Sequence, residues 1–438
     1  MKKELSNVQI FERIVEFFDA QAQRPERYAT VRGAFSRSSP LNFNRTSVFL
    51  LQQSKKSLGI ELEEFFDRLG EDRSCPTKSA FSQARYKLDW RFFEDCNQEL
   101  LRQTNEHMRG LERLGKLRVF AIDGSTLYLI NNDSMRAHFG VQTNGKMDIP
   151  MARVMCCYDV LNGFCNLAKV DPIQTDELSV ALEWVNRLPS NALGVHDRGH
   201  ASFALMWQYM QQSKHFLIRC RLDFNTQVKA FVRSNKRSQE VTLKATNSAL
   251  DRTKPWEDPI AADATIRVRL VKITLSTSRK EVLITSLPKR KYSNKRLGQV
   301  YFWRWKVETF FDRIKNKLQA ECFCGHKSLA IFQEFHAAIF LANLHQLLVQ
   351  YSRKIVDQTS ERRQLQYQIN YNITLGLMRQ KIVLLLLFDG LRATLEDLAA
   401  QFVRYLEPRR PDRSYPRIVK AKRAKGKYQT FSNYRRAI

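Results

Sequence analysis

The chain has 438 residues, of which 43% are hydrophobic and 26% charged. That is enough apolar material for a sizeable core and for more than one domain, and it excludes a disordered chain. A formal net charge of +28, with a pI near 9.9, far exceeds what solubility needs and calls for a large polyanionic partner. Nucleic acid is the simplest such partner, and an anionic membrane surface is the competing one. Membrane insertion is excluded by hydropathy, because the longest apolar run, IVLLLLF at 382–388, is far short of the ~20 residues a span requires.

The N-terminus, MKKELS, carries no apolar signal region, and eight scattered cysteines without a framework spacing fit a reducing compartment. Residues 1–115 read as helical. Apolar side chains recur at helical spacing over 11–18 and again over 47–66. Thr77 is placed to cap a short helix over 76–88 whose polar face carries Lys78, Ser79, Gln83, Arg85 and Lys87. Lys78 and Arg85 are therefore candidate DNA contacts on a recognition helix, although a basic surface helix has the same pattern.

From residue 117 the period changes. LRVFAI at 117–122 alternates and stops at Asp123-Gly124-Ser125, which reads as a strand ending in an acidic turn. Strands are expected at 152–159 and 164–170, a helix at 176–188 and a further strand at 192–196. That last strand also ends in an acidic turn, Asp197-Arg198-Gly199, and a helix over 201–212 follows. Two carboxylates thus fall at the C-terminal ends of two strands, where α/β folds place their sites. Residues 215–287 hold β-branched or alternating stretches at 215–221, 241–245, 265–274 and 281–286, and read as a β-rich insertion. Helices return after residue 294 and run to about 406. Residues 404–438 carry twelve Lys or Arg against two acids, with five aromatics interleaved, a composition suited to DNA backbone contact and base stacking.

The stretch 301–315, YFWRWKVETFFDRIK, is expected to be one helix. At about 100° per residue, Tyr301, Arg304, Glu308 and Lys315 fall within about 60° of one another. Phe302, Val307, Phe310, Phe311, Ile314 and Leu318 fill a neighbouring face that anchors the helix to a core. One carboxylate on a stripe of cations and a phenol suits a group that holds a metal while its neighbours grip phosphates. An ordinary amphipathic helix has the same appearance until the other carboxylates are counted. Asp123, Asp197 and Glu308 together can hold a pair of divalent ions, the usual apparatus for phosphodiester chemistry, and hard oxygen ligands suit magnesium. Arg198, next to Asp197, is a candidate phosphate contact. Cys322-Phe323-Cys324-Gly325-His326 lacks a second ligand pair at a recognisable spacing, so no zinc site is expected there.

These residues resemble the DDE transposases of bacterial insertion sequences, IS-four type. The resemblance rests on Asp123-Gly-Ser, on Asp197-Arg-Gly, and on Tyr301, Arg304, Glu308 and Lys315 at the spacing of the family's Y-R-E-K signature. Residues 58–66, 78–85 and the closing NYRRAI at 433–438 are also similar to the family. It implies an α/β architecture with an RNase-H-like catalytic core and a β-rich insertion, flanked by an N-terminal helical domain and C-terminal helices. The corresponding boundaries are 1–115 for helical DNA binding, 116–214 and 291–350 for the two parts of the core, 215–290 for the insertion, and 351–438 for the C-terminal helices and basic tail. The resemblance further implies Asp123, Asp197 and Glu308 as metal-binding catalytic residues, with Mg2+ or Mn2+ as cofactor. Tyr301, Arg304 and Lys315 would contact phosphates of double-stranded DNA. The expected partners are the element's terminal inverted repeats, a target DNA and a second copy of the chain, in the bacterial cytoplasm at the nucleoid. Hairpin-forming members carry a tryptophan where this chain has Glu281, just ahead of VLITSLP at 282–288. A metal-dependent endonuclease on the same fold, a non-catalytic DNA-binding derivative and an RNA-binding protein remain as alternatives.

Overall fold

The computed structural model describes residues 5–409, apart from 54, 71–74, 144–147, 275–279 and 362–363. The expected contacts of the basic tail beyond 409 and of the closing NYRRAI fall outside the described residues. The backbone divides into two compact units. One is built from Met1–Arg109, Leu127–Met151 and Arg313–Ile438, the other from Gly110–Thr126 and Ala152–Asp312.

The first unit is helical. Its helices include Asn7–Ala22, Phe43–Gln52, Leu58–Leu69, Lys78–Arg85, Arg91–His107 and the long Ser328–Glu361. Short polar side chains cap three of them, as expected from the orphan N–H groups of a first turn: Ser6 and Gln9 form a capping box, Asn42 accepts from the Arg45 N–H, and Thr77 accepts from the Ala80 N–H. The continuous pattern over 47–66 is interrupted in the structure. Gln53 adopts a left-handed conformation (φ 51°) that ends one helix, and its side-chain amide bonds the Leu50 and Glu334 carbonyls. Within this unit Val141–Thr143 also pairs with Asp148–Pro150, and Tyr367–Ile369 with Leu406–Pro408, both antiparallel.

The second unit is α/β. Numbered in chain order together with the first unit's short β2 (Val141–Thr143), the strands are β1 (Arg118–Tyr128), β3 (Asp148–Asp159), β4 (Cys165–Pro172), β5 (Ala192–His196), β6 (His215–Cys220), β7 (Ser238–Lys244), β8 (Thr265–Thr274) and β9 (Lys280–Thr285). In the second unit the sheet runs β4-β3-β1-β5-β6-β9-β8-β7. β5 is parallel to β1 and to β6, whereas β3 and β4, and β6, β9, β8 and β7, pair antiparallel. The 4-3-1-5-6 part, a meander followed by two parallel strands, is the RNase-H-like arrangement. β9, β8 and β7 extend the same sheet, so the block expected to be a β-rich insertion is continuous with it. That block also contains two helices, Thr226–Arg233 and Asn247–Thr253, which short length and polar composition hid from the sequence pattern. Phe120, Ile122, Trp184, Leu205, Tyr209, Phe216 and Ile284 belong to its buried core. The base of β1 is held by a buried ion pair, Arg118 Nη2 to Asp159 Oδ2 at 2.5 Å.

Candidate active site

Parallel pairing sets the first two carboxylates side by side. The register of β1 against β5 ends at Ala121 and Val195, and two residues further along each strand stand Asp123 and Asp197. Side chains alternate along a strand, so both carboxylates share the face of their paired predecessors. β1 does not stop at Asp123 but continues to Tyr128, because it still has β3 as a neighbour after β5 has ended. Asp197 does end its strand: it caps the short 3-10 turn Arg198–His200, accepting from the Gly199 N–H at 2.8 Å.

The expected single helix over 301–315 is broken. One helix, Asn294–Phe302, closes on Trp303, and a second runs Trp305–Asp312. Between them the Arg304, Lys306 and Val307 amides bond carbonyls three residues back, which tightens the turn. The tightening falls where Arg304 enters a pocket of acids. Its guanidinium donates to Asp123 Oδ2 at 2.8 Å and to Glu308 Oε1 at 2.7 Å, and the side chain is 5% exposed. A buried cation bridging two carboxylates outweighs one regular turn of backbone bonds. Tyr158 stacks on Phe310, 4.8 Å between centroids, and fastens the second helix to β3.

The electrostatics of the pocket are crowded. Burial pushes the Asp123 carboxyl up to about 6, Arg304 opposes the rise, and the Asp197 and Glu308 charges add to it. The phenol of Tyr301 is pushed up to about 12, chiefly by burial. Its hydroxyl is buried and makes no hydrogen bond, and it feels the charges of Arg219, Arg304 and Asp197. Glu281 pairs with Arg219 at 2.8 Å instead of presenting an aromatic surface.

The structure therefore brings Asp123, Asp197, Glu308, Arg304 and Tyr301 together in one unit, with Arg198 exposed beside Asp197. Lys315 belongs to the other unit, on a π-turn at Arg313–Lys317, where its charge lowers the raised carboxyl of Glu321. Lys78 is exposed on its helix. Arg85 is the one candidate whose placement corrects the expectation. It is 1% exposed, and its guanidinium is taken up by Glu334 Oε1 (3.1 and 3.2 Å), Gln333 Oε1 (3.1 Å) and Cys324 Sγ (2.6 Å). It has no surface to offer a duplex; the helical period placed it on the polar face, but that face is covered by Ser328–Glu361. The Cys322–His326 motif serves this ion pair, since the Cys324 N–H also donates to Glu334.

Sequence reasoning passed over Glu177. It opens the helix Glu177–Arg187, pairs with Arg153 at 2.5 Å, and lies against Gly124. The available signal was the glycine directly after Asp123.

Asp123→Asn is expected to stabilise the protein in alkaline solution. The folded chain keeps the Asp123 proton up to about pH 6, while the unfolded chain releases it near 4. Stability from this group is fully present below about pH 4 and is lost progressively as pH rises from there through 6. The neutral asparagine escapes that loss, by about 3 kcal/mol at most at pH 8, by about half as much at pH 5 and by little only below the unfolded value, near pH 3. Thermal melts of both proteins at pH 8 and at the lowest pH where both still fold check this: the gap between them should shrink as pH falls.

Among the described residues no three His, Cys, Asp or Glu side chains stand close enough as placed to hold an ion, because Arg304 lies between Asp123 and Glu308. The transposase DDE domain family model matches residues 114–344, more than half of the chain. No curated protein sequence matches it. Among solved structures, a cryo-EM structure of a piggyBac transposase synaptic complex with hairpin DNA aligns at 12% identity and a TM-score of 0.44, covering 93% of this chain and 84% of that one.

Proposed function

The chain belongs to the transposase DDE domain family, and from that premise we propose that it binds the terminal inverted repeats of its element, cleaves DNA at the element ends and joins them to target DNA. The observation that carries this reading is the bridge from Arg304 to Asp123 and Glu308, with Asp197 in register beside Asp123. Those three carboxylates serve as the catalytic and metal-binding residues.

The donor set fits a divalent cation: all donors are hard oxygens, and the Asp197 and Glu308 charges add to the rise that burial imposes on the Asp123 carboxyl. When bound, Mg2+ or Mn2+ would activate the attacking oxygen and stabilise the leaving one. The chain's own groups do the rest. Arg304 holds Asp123 and Glu308 in place and, freed from one of them, offers N–H donors to a phosphate. The buried Tyr301 hydroxyl, unbonded in the structure, is a donor to the same phosphate. Arg198 is a further phosphate contact beside them, Lys315 is one on its own unit, and Lys78 with residues 1–115 reads the repeats.

Charge supports a DNA partner. No acid occurs between Glu281 and Glu308, while Lys289, Arg290, Lys291, Lys295, Arg296, Arg304 and Lys306 do. Arg269 ties this segment to the Arg237 loop through the Tyr292 carbonyl, Asn294 and Ser238, so the exposed cations of both segments form one surface. Residues 116–214 and 291–350 form the catalytic core, 215–290 its insertion, and 351–438 the C-terminal helices and tail. Two copies assemble on DNA because two ends must be joined, and the setting is the bacterial cytoplasm at the nucleoid. Among the described residues no helix is long and apolar enough to cross a membrane.

The test is incubation of the protein with a labelled duplex carrying the inverted repeat that flanks its gene, with and without Mg2+ or Mn2+, plus a plasmid target. Metal-dependent nicks at the repeat tip and joined products are expected. Nicks without joining would establish an endonuclease instead; binding without either would establish a DNA-binding derivative.

A further inference from the structure

We infer that Glu177 is a fourth carboxylate of the metal centre, beside Asp123, and that Gly124 is a glycine so that it fits there. The inference rests on the reading of Asp123, Asp197 and Glu308 as metal-binding residues.

Three observations carry it. First, a Cβ built on Gly124 would lie 2.6 to 2.8 Å from the three carboxyl atoms of Glu177, so the carboxylate is seated on the backbone of the residue after Asp123. Any other residue at 124 would push it away. Second, Arg153 aims Glu177 from β3, with Nη1 to Oε1 at 2.5 Å, and Asp176 caps the helix that presents it, accepting from the Ser179 N–H. Third, His200 faces the same place. It is 2% exposed, its Nε2 is buried without a hydrogen bond and lies 3.9 Å from Glu177 Oε2, and its Nδ1 lies 3.9 Å from Asp197 Oδ1. Behind it, His196 Nδ1 lies 3.4 Å from His200 Nδ1, and His196 Nε2 lies 2.8 Å from the Tyr209 hydroxyl. One buried imidazole thus spans Glu177 and Asp197.

Stability does not account for this arrangement. The Arg153–Glu177 pair is 23% and 34% exposed, and ion pairs of that kind contribute little. A fourth carboxylate beside three others raises their repulsion. Asp123, Asp197, Glu308 and Glu177 against Arg304 and Arg153 leave two negative charges uncompensated, which is what a divalent cation supplies.

The experiment is titration of the full-length protein with Mn2+ at pH 7.5, with free Mn2+ followed by electron paramagnetic resonance, for wild type, Asp123→Asn, Glu177→Gln and Gly124→Ala. Melting curves confirm that each variant is folded. The expected result is near-complete loss of binding in Asp123→Asn and weakening by about 10- to 100-fold in Glu177→Gln. Gly124→Ala should weaken binding in the same direction, because its methyl displaces Glu177. Loss in Asp123→Asn with wild-type binding in both Glu177→Gln and Gly124→Ala would overturn the inference and leave the three-carboxylate centre standing. No Mn2+ binding by the wild type, or unchanged binding in Asp123→Asn, would overturn that centre and the inference with it.

Discussion

Glu308→Ala is expected to reduce strand cleavage and joining by roughly 10³-fold or more while leaving DNA binding intact. Glu308 contributes to the proposed centre from a helix, through a side chain 39% exposed and hydrogen-bonded to Arg304 at 2.7 Å. Its removal deprives the centre of one anionic donor and frees Arg304 to bond Asp123 alone. It opens no core cavity, since the apolar anchors Val307, Phe310 and Phe311 stay in place, so the unfolding temperature should hardly change. DNA affinity should hold or rise slightly, because a negative charge leaves a surface that faces phosphates. Gel assays of nicked and joined strands beside filter binding separate the two effects. A variant that still cleaved at wild-type rate would remove Glu308 from the chemistry.

Arg85→Met is expected to do the opposite, lowering the unfolding free energy by about 3–5 kcal/mol with no specific effect on chemistry. Arg85 and Glu334 are each 2% exposed in their side chains, and Lys55 Nζ lies 3.5 Å from the other Glu334 oxygen. Truncating the arginine leaves the buried carboxylate with Lys55 and the Cys324 N–H but without its two guanidinium donors, and leaves Gln333 Oε1 without the Arg85 Nε–H. Adding Glu334→Leu should recover much of the loss, because a buried pair replaced by apolar groups of similar size often costs little. Denaturant unfolding of the three proteins measures this. A stable Arg85→Met protein with weakened DNA binding would return Arg85 to the DNA-contacting role its helix position implied.

Those two residues mark what sequence pattern conveys and what it does not. β3 to β6 and β8 lie close to where alternation and β-branching put them, because each has at least one buried face that dictates its side chains. Asp123 and Asp197 are legible as acids following two runs of strand character, and the parallel register of β1 on β5 up to Ala121 and Val195 brings them side by side. Tertiary effects explain the misses. β1 runs past Asp123 because a neighbouring strand remains to pair with it, which no local signal records. The helix over 301–315 breaks at Arg304 because two distant carboxylates pull its guanidinium inward. Arg85 sits on the polar face of its own helix, yet that face is covered by residues almost 250 positions away in sequence. Glu177 looked like a helix-start residue, and only the space over Gly124 distinguishes it.

The central claim, that Asp123, Asp197 and Glu308 form the metal centre, is tested most directly by locating a metal in the folded protein. Fe2+ bound in place of Mg2+, with ascorbate and peroxide, cuts the polypeptide beside its own site, and fragment masses report the positions. The account predicts cuts close to residues 123, 197 and 308, suppressed by excess Mg2+ and absent from Asp123→Asn. Cuts confined to other places, such as the 322–326 cysteine and histidine motif, or none near the three carboxylates, would contradict it.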